Sequence, residues 1–217
     1  MNSVVSLNHD NEAVRYLCQR DKRLSKVIDL VGDYTYKPYD DSFSFLTNQI
    51  IGQMLSAKVS IKISERLEKL CDGKITPLEI LKIEENDMRE TGMSLSKAHN
   101  IKNLARAVER GEIAFDEMKL MDDSSVIKEL TKFRGIGSWT AKMYLIFVLD
   151  RKDVLPYEDM AFLQSFSWMY KTSDLKKEDI EKKCKKWKPY TSIGARYLYK
   201  ALDSGLTKKE FHLFKEM

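Results

Sequence analysis

The 217-residue chain carries 37 basic against 33 acidic side chains, a net charge of +4, and 43% of its residues are apolar, enough for one domain or two small ones around a shared cleft. Its longest apolar run, Met143 to Leu149, is far short of the roughly 20 residues of a membrane helix, and the opening MNSVVSLNHDNEAV lacks the basic start and apolar stretch of a signal peptide, so an intracellular protein is expected. Three scattered cysteines (Cys18, Cys71, Cys184) and three distant histidines (His9, His99, His212) give no disulfide framework, no C-x-x-C pair and no zinc spacing, so inert thiols and no metal centre are expected.

Nine glycines and four prolines punctuate the chain, and apolar residues recur at three- and four-residue spacing without convincing alternation, which predicts an all-α fold. The first forty or so residues read as helix and loop. From Ile51 to Leu70 the stripe Leu55, Val59, Ile63, Leu67 and Leu70 predicts an amphipathic helix, with Ser56 as a plausible N-cap. Thr76-Pro77 opens a short helix, and Gly92 and Gly111 are helix stops on either side of Ser96 to Arg110. Further on, Leu130-Thr131-Lys132-Phe133-Arg134-Gly135-Ile136-Gly137-Ser138-Trp139-Thr140-Ala141 reads as helix, hairpin and second helix, running into the apolar stretch Lys142 to Leu149. Between Lys171 and Lys188 eight lysines oppose four acids, a local +4 that reads as a solvated face unless nearby residues also handle nucleic acid. Thr207-x-x-Glu210 is a capping box for a last helix carrying Phe211 and Phe214.

The hairpin is the chemically informative element. Glycines at 135 and 137 permit a tight turn and leave backbone N–H groups bare at a helix N-terminus, where the dipole and the unpaired donors favour a phosphate. Ile136 between them is expected to point inward and anchor the turn. Most Gly-x-Gly pairs are plain turns, so the hairpin takes its meaning from what surrounds it.

The surroundings resemble the helix-hairpin-helix superfamily of DNA glycosylases, and within it the 3-methyladenine DNA glycosylase II branch. Asp153-Val154-Leu155-Pro156-Tyr157-Glu158-Asp159-Met160 looks like the family's proline loop, with Asp159 lying 24 residues after Gly135. Upstream, Ile51-Gly52-Gln53-Met54-Leu55-Ser56 resembles the early helix-turn signature. Downstream, Trp187-Lys188-Pro189-Tyr190-Thr191-Ser192 with Tyr197-Leu198-Tyr199 resembles the branch's C-terminal signature. The resemblance spans Ile51 to Tyr199. It implies a single helical glycosylase domain over 1–217: N-terminal helices to about residue 40, a helical subdomain over 41–130, the hairpin motif at 130–150, and catalytic loop and C-terminal helices over 151–217. Two helical subdomains would flank an active-site cleft, with no N-terminal β-domain.

The same resemblance implies a monofunctional DNA glycosylase of base excision repair that excises alkylated purines from duplex DNA. Cleaving the N-glycosidic bond leaves an oxocarbenium-like sugar, and Asp159, at a helix N-terminus, would stabilise it and orient a water; the bland role for such an aspartate is an N-cap, and the two coexist. Glu158 takes a supporting or solvent-facing place. The base pocket would be Trp139, Met143, Met160 and Tyr199, although methionines at helical spacing also suit a core. Met54 would fill the gap left by the flipped base, with Gly135, Ile136, Gly137, Ser138 and Thr140 on the DNA backbone. Strand-cutting relatives carry a Schiff-base lysine where this chain has Trp139. No cofactor is expected, only room for a monovalent cation at the hairpin backbone; with Cys184 alone in the C-terminal half there is no iron–sulfur cluster. Met143 and Met160 replace aromatics of well-known branch members, and Thr191 replaces a frequent arginine, for which Lys188 or Arg196 are the nearby substitutes. A monomer acting on damaged duplex DNA is expected, cytoplasmic in a bacterium and nuclear in a eukaryote. Two alternatives stay open on the residues alone: a related glycosylase for another lesion, and a non-catalytic DNA-binding module.

Overall fold

The computed structural model describes residues 3–214, arranged as two compact units. The described residues up to Pro38, together with those from Asp150 onward, form one unit, called outer because it is built from the two ends of the chain; Tyr39–Leu149, the middle of the chain, forms the other, called central. In chain order the outer unit begins with β1 (Val5–Leu7), α1 (Glu12–Arg20), α2 (Lys22–Val31) and β2 (Tyr34–Tyr36). The central unit holds α3 (Ser42–Gly52), α4 (Ala57–Leu70), α5 (Pro77–Lys82), α6 (Glu85–Glu90), α7 (Leu95–Glu109), α8 (Phe115–Met118), α9 (Asp123–Leu130) and α10 (Ser138–Phe147). The outer unit resumes with α11 (Met160–Tyr170), α12 (Lys177–Cys184), a 3-10 turn at Lys185–Trp187, α13 (Thr191–Asp203) and a second 3-10 turn at Leu206–Lys208. No described helix is long and apolar enough to cross a membrane.

The outer unit is organised around the buried carboxylate of Asp21. Asp21 ends α1 and caps α2, its Oδ1 accepting from the N–H groups of Arg23 (3.0 Å) and Leu24 (3.3 Å), so the chain turns from one helix into the next without an intervening loop. Its other oxygen accepts from the Tyr170 hydroxyl, the Trp187 Nε1–H (2.9 Å) and the Lys186 ammonium (3.1 Å), which ties α2 to α11 and to the turn before α13. Around it Leu17, Leu24, Ile28, Phe162, Phe166, Trp187 and Tyr197 make the core. Burial of this carboxylate works against its charge, and the three donors outweigh it, holding Asp21 below the ordinary carboxylate range.

In the central unit, α7 carries Ala98, Ile101, Leu104 and Ala105 inward, and α3 carries Phe43, Leu46 and Ile50. Tyr144 of α10 is buried between the rings of Phe45 and Phe115 and shares a hydrogen bond with Ser42 Oγ (2.9 Å). Thr76 caps α5 through the Glu79 N–H with Pro77 at the first turn, and Ser94 caps α7, in line with the helix starts and stops read from the sequence.

The fold differs from the reading of the sequence in three places. Val5–Leu7 and Tyr34–Tyr36 pair as a short antiparallel ribbon, Val5 opposite Tyr36, where helix and loop were expected. The stripe of Ile51 to Leu70 is cut by a turn at Gln53–Ser56, so only Ile63 and Leu67 are buried while Leu55, Val59 and Leu70 are exposed; Ser56 begins α4 without a side-chain cap bond. No helix follows Thr207 among the described residues. Residues 209–211 pack against α11 and its C-cap instead: Trp168 Nε1–H donates to the Lys209 carbonyl (2.7 Å), Phe211 packs edge-on against Trp168, and Glu210 pairs with Lys171 rather than capping a helix.

Candidate active site

The hairpin lies between α9 and α10 of the central unit. Thr131 ends α9, the Ile136 N–H donates to the Phe133 carbonyl (3.0 Å), and Gly137 is the N-cap of α10, which starts at Ser138, four residues ahead of the expected apolar stretch. Ile136 is buried, as the sequence suggested. Gly135 sits at φ +93°, and a Cβ there would lie 2.9 Å from Asn100 Nδ2 of α7, so both backbone and neighbour require glycine. Gly137 has φ −96° with open space where a Cβ would be. Its freedom from contact, with no side chain capping α10, leaves this helix N-terminus open to an anion. Ser138 is exposed and Thr140 buried.

A second turn is fastened to the first. Gln53 Nε2 donates to the Gly135 carbonyl (2.8 Å), and the Lys97 ammonium donates to the carbonyls of Ile51 (2.8 Å) and Gln53 (2.7 Å). Between these fixed points Met54 takes a left-handed conformation, φ +60°, and its side chain is fully exposed. A methionine held in a strained conformation with no protein around it has a reason outside the packing. On α10, Trp139 is half-buried in the first turn and Met143, one turn further along the same face, is buried.

The proline loop belongs to the outer unit. The Asp159 N–H donates to the Pro156 carbonyl (3.0 Å), and its Oδ1 accepts from the Phe162 N–H (2.8 Å), making it the N-cap of α11. The carboxylate is buried at the positive end of that helix. Glu158 beside it is exposed, and so is Met160, whose side chain is 76% accessible. Tyr199 of α13 is largely buried, and burial pushes its hydroxyl well above the ordinary tyrosine range, with the Asp159 charge pushing further against Arg196. Thus one unit brings together Asp159 and Tyr199, with Met160 pointing to solvent, and the other brings together Met54, the hairpin, Trp139 and Met143.

The basic run has most of its charge engaged within the outer unit. Lys171 pairs with Glu210, Lys177 lies over the Tyr157 ring, Lys183 over Phe166 and Tyr170, Lys186 on Asp21 and Lys188 near Asp153. Arg196 stacks 3.8 Å from the Tyr36 ring centroid and reaches Asp150 at 3.4 Å, and Thr191 hydrogen-bonds Asp153. Lys97 and Asn100 were missed by sequence reasoning. Their spacing of three on one helix places both on the face that meets the two turns, but nothing in sequence says that this face meets them.

Comparison with known proteins gives one family: the profile of the HhH-GPD superfamily base excision DNA repair proteins matches residues 48–189. The DNA-3-methyladenine glycosylase 1 of Schizosaccharomyces pombe is 28% identical over 196 residues, 85% of this chain and 84% of that protein. Among solved structures, a DNA-3-methyladenine glycosidase from Bacillus halodurans superposes with a TM-score of 0.83 at 28% identity, covering 96% of this chain and 97% of that one. The S. pombe 3-methyladenine DNA glycosylase in complex with abasic DNA superposes with a TM-score of 0.81 at 25% identity, covering 95% and 100%.

Proposed function

Since the chain belongs to the HhH-GPD superfamily of base excision DNA repair proteins, we propose that it is a monofunctional DNA glycosylase that hydrolyses the N-glycosidic bond of alkylated purines in duplex DNA. The observation that carries the chemistry is Asp159, a buried carboxylate fixed by the Phe162 N–H at the start of α11. As the bond to a damaged base lengthens, the sugar gains positive charge, and a preorganised anion beside it stabilises that state and orients the attacking water. Alkylation at N3 or N7 makes the purine cationic, so it departs without a strong general acid. Trp139 would stack on the extruded base, an attraction that favours electron-poor rings by roughly 0.5–2 kcal/mol. Met54 would occupy the space the base leaves, while the open N-terminus of α10 at Gly137 and Ser138 would take a phosphate.

Trp139 stands where strand-cutting relatives need an amine, so this reading includes no Schiff base and no strand cleavage. It requires no organic cofactor. Two hairpin carbonyls already accept, Gly135 from Gln53 and Phe133 from Ile136, so a monovalent cation at the hairpin would share them, and no step is assigned to it. The protein would act as a monomer inside the cell, in the compartment that holds the DNA.

The test is a panel of duplexes carrying single 3-methyladenine, 7-methylguanine, ethenoadenine, hypoxanthine, uracil or 8-oxoguanine, scored for abasic sites after alkali and for borohydride-trapped adducts. Fast release of the two cationic purines with no adduct supports the reading. Preference for uracil or 8-oxoguanine overturns the substrate class, and a trapped adduct overturns the monofunctional mechanism.

A further inference from the structure

Ser192, a residue of the C-terminal signature to which the resemblance gave no role, grips the loop that carries Asp159. Ser192, fully buried in the first turn of α13, holds the segment leading to Pro156: its hydroxyl accepts the Val154 N–H (2.9 Å) and donates to the Val154 carbonyl (3.3 Å), and its own N–H donates to the Lys152 carbonyl (2.9 Å). Thr191 beside it hydrogen-bonds Asp153. Trp187, anchored on Asp21, packs edge-on against Phe162, the residue whose N–H caps Asp159.

We propose that Ser192 is a positioning residue, and that the start of α13 is a template that sets where the Asp159 carboxylate stands. This inference rests on Asp159 being the reacting carboxylate. Both hydrogen-bonding groups of Val154 are satisfied by the single Ser192 side chain, so removing its hydroxyl frees the loop where that side chain clasps its backbone.

The experiment measures single-turnover excision of 7-methylguanine and affinity for abasic-site DNA in Ser192→Ala, Asp159→Asn and the double variant. Positioning predicts that Ser192→Ala lowers the rate about ten-fold or more with affinity unchanged, and that it lowers the rate no further once Asp159 is Asn, because it acts through that charge. A wild-type rate in Ser192→Ala, or a loss that adds fully to that of Asp159→Asn, would overturn the assignment. Wild-type excision in Asp159→Asn would instead overturn the reading of Asp159 itself, a separable outcome.

Discussion

On the proposed function Asp159 serves the fold and the reaction at once, and substitution separates the two contributions. In Asp159→Asn the amide oxygen still accepts the Phe162 N–H, so the cap survives while the charge is lost. Excision should fall on the order of 100-fold or more with an unchanged thermal midpoint; Asp159→Ala should lose both, with about 1 kcal/mol of stability gone as well. Met54 presents the opposite conflict. At φ +60° a methionine is disfavoured by roughly 1 kcal/mol relative to a glycine, and its exposed side chain returns no packing. Met54→Gly should therefore raise the unfolding free energy by up to about 1 kcal/mol in denaturant titrations and weaken binding to abasic-site DNA. The hairpin glycines also part ways. Gly135→Ala meets both a left-handed backbone and Asn100 and should cost about 1–3 kcal/mol. Gly137→Asp meets nothing and places a good N-cap on α10, so the fold should hold while a negative charge stands where a phosphate would bind; retained DNA affinity in that variant would remove the hairpin from the interface.

At the scale of elements, stability should respond to pH through the join of α1 and α2. Asp21 titrates below its ordinary range in the folded state, so its contribution is complete above the unfolded carboxylate value and is lost as the pH falls toward the folded one. The Lys186 ammonium is two-fifths exposed and screened, so the Tyr170 and Trp187 donors carry most of this effect. Asp21→Asn should destabilise the protein at neutral pH and flatten the acid limb of a stability–pH curve; an unchanged limb would assign acid sensitivity to other carboxylates. The elements also show what a sequence discloses. Thr76-Pro77, the glycines at 92 and 111 and the Asp159 cap are local chemistry, settled within four residues, and were legible. The break at Gln53–Ser56 is made by Lys97 and Gln53 reaching groups 44 to 82 residues away, so the stripe from Leu55 to Leu70 looked continuous when it was not. The tail after Thr207 had a sound capping box, and lost to a buried Phe211 and a bond from Trp168. The family, and with it the candidate site, was legible where motif order sufficed. The clasp of Ser192 on Val154 was not, since it pairs residues 38 apart through backbone atoms that every sequence possesses.

For the whole molecule, charge is a weaker guide than its total suggests. The lysines of 171–188 largely serve their own unit, so DNA affinity should depend on phosphate contacts elsewhere, with the amides of α10 foremost. Affinity for duplex DNA should fall steeply between roughly 50 and 200 mM salt, and the slope should shrink in Gly137→Asp but change little in Lys186→Ala.

The interleaving of the two units has a consequence for how the chain is made. The outer unit's halves are separated by residues 39–149, so it cannot close until the last third has left the ribosome, whereas the central unit is continuous. The Tyr39 N–H donates to the Phe147 carbonyl at 2.9 Å, so once the central unit folds, the points where the chain joins it and leaves it stand side by side. A loop of more than a hundred residues is thereby closed in advance, and the outer unit assembles as though its two parts were nearly contiguous. Nascent chains arrested soon after residue 149 clears the exit tunnel should show a protease-resistant fragment spanning Tyr39–Leu149, while α1 and α2 remain cleavable until α13 is synthesised.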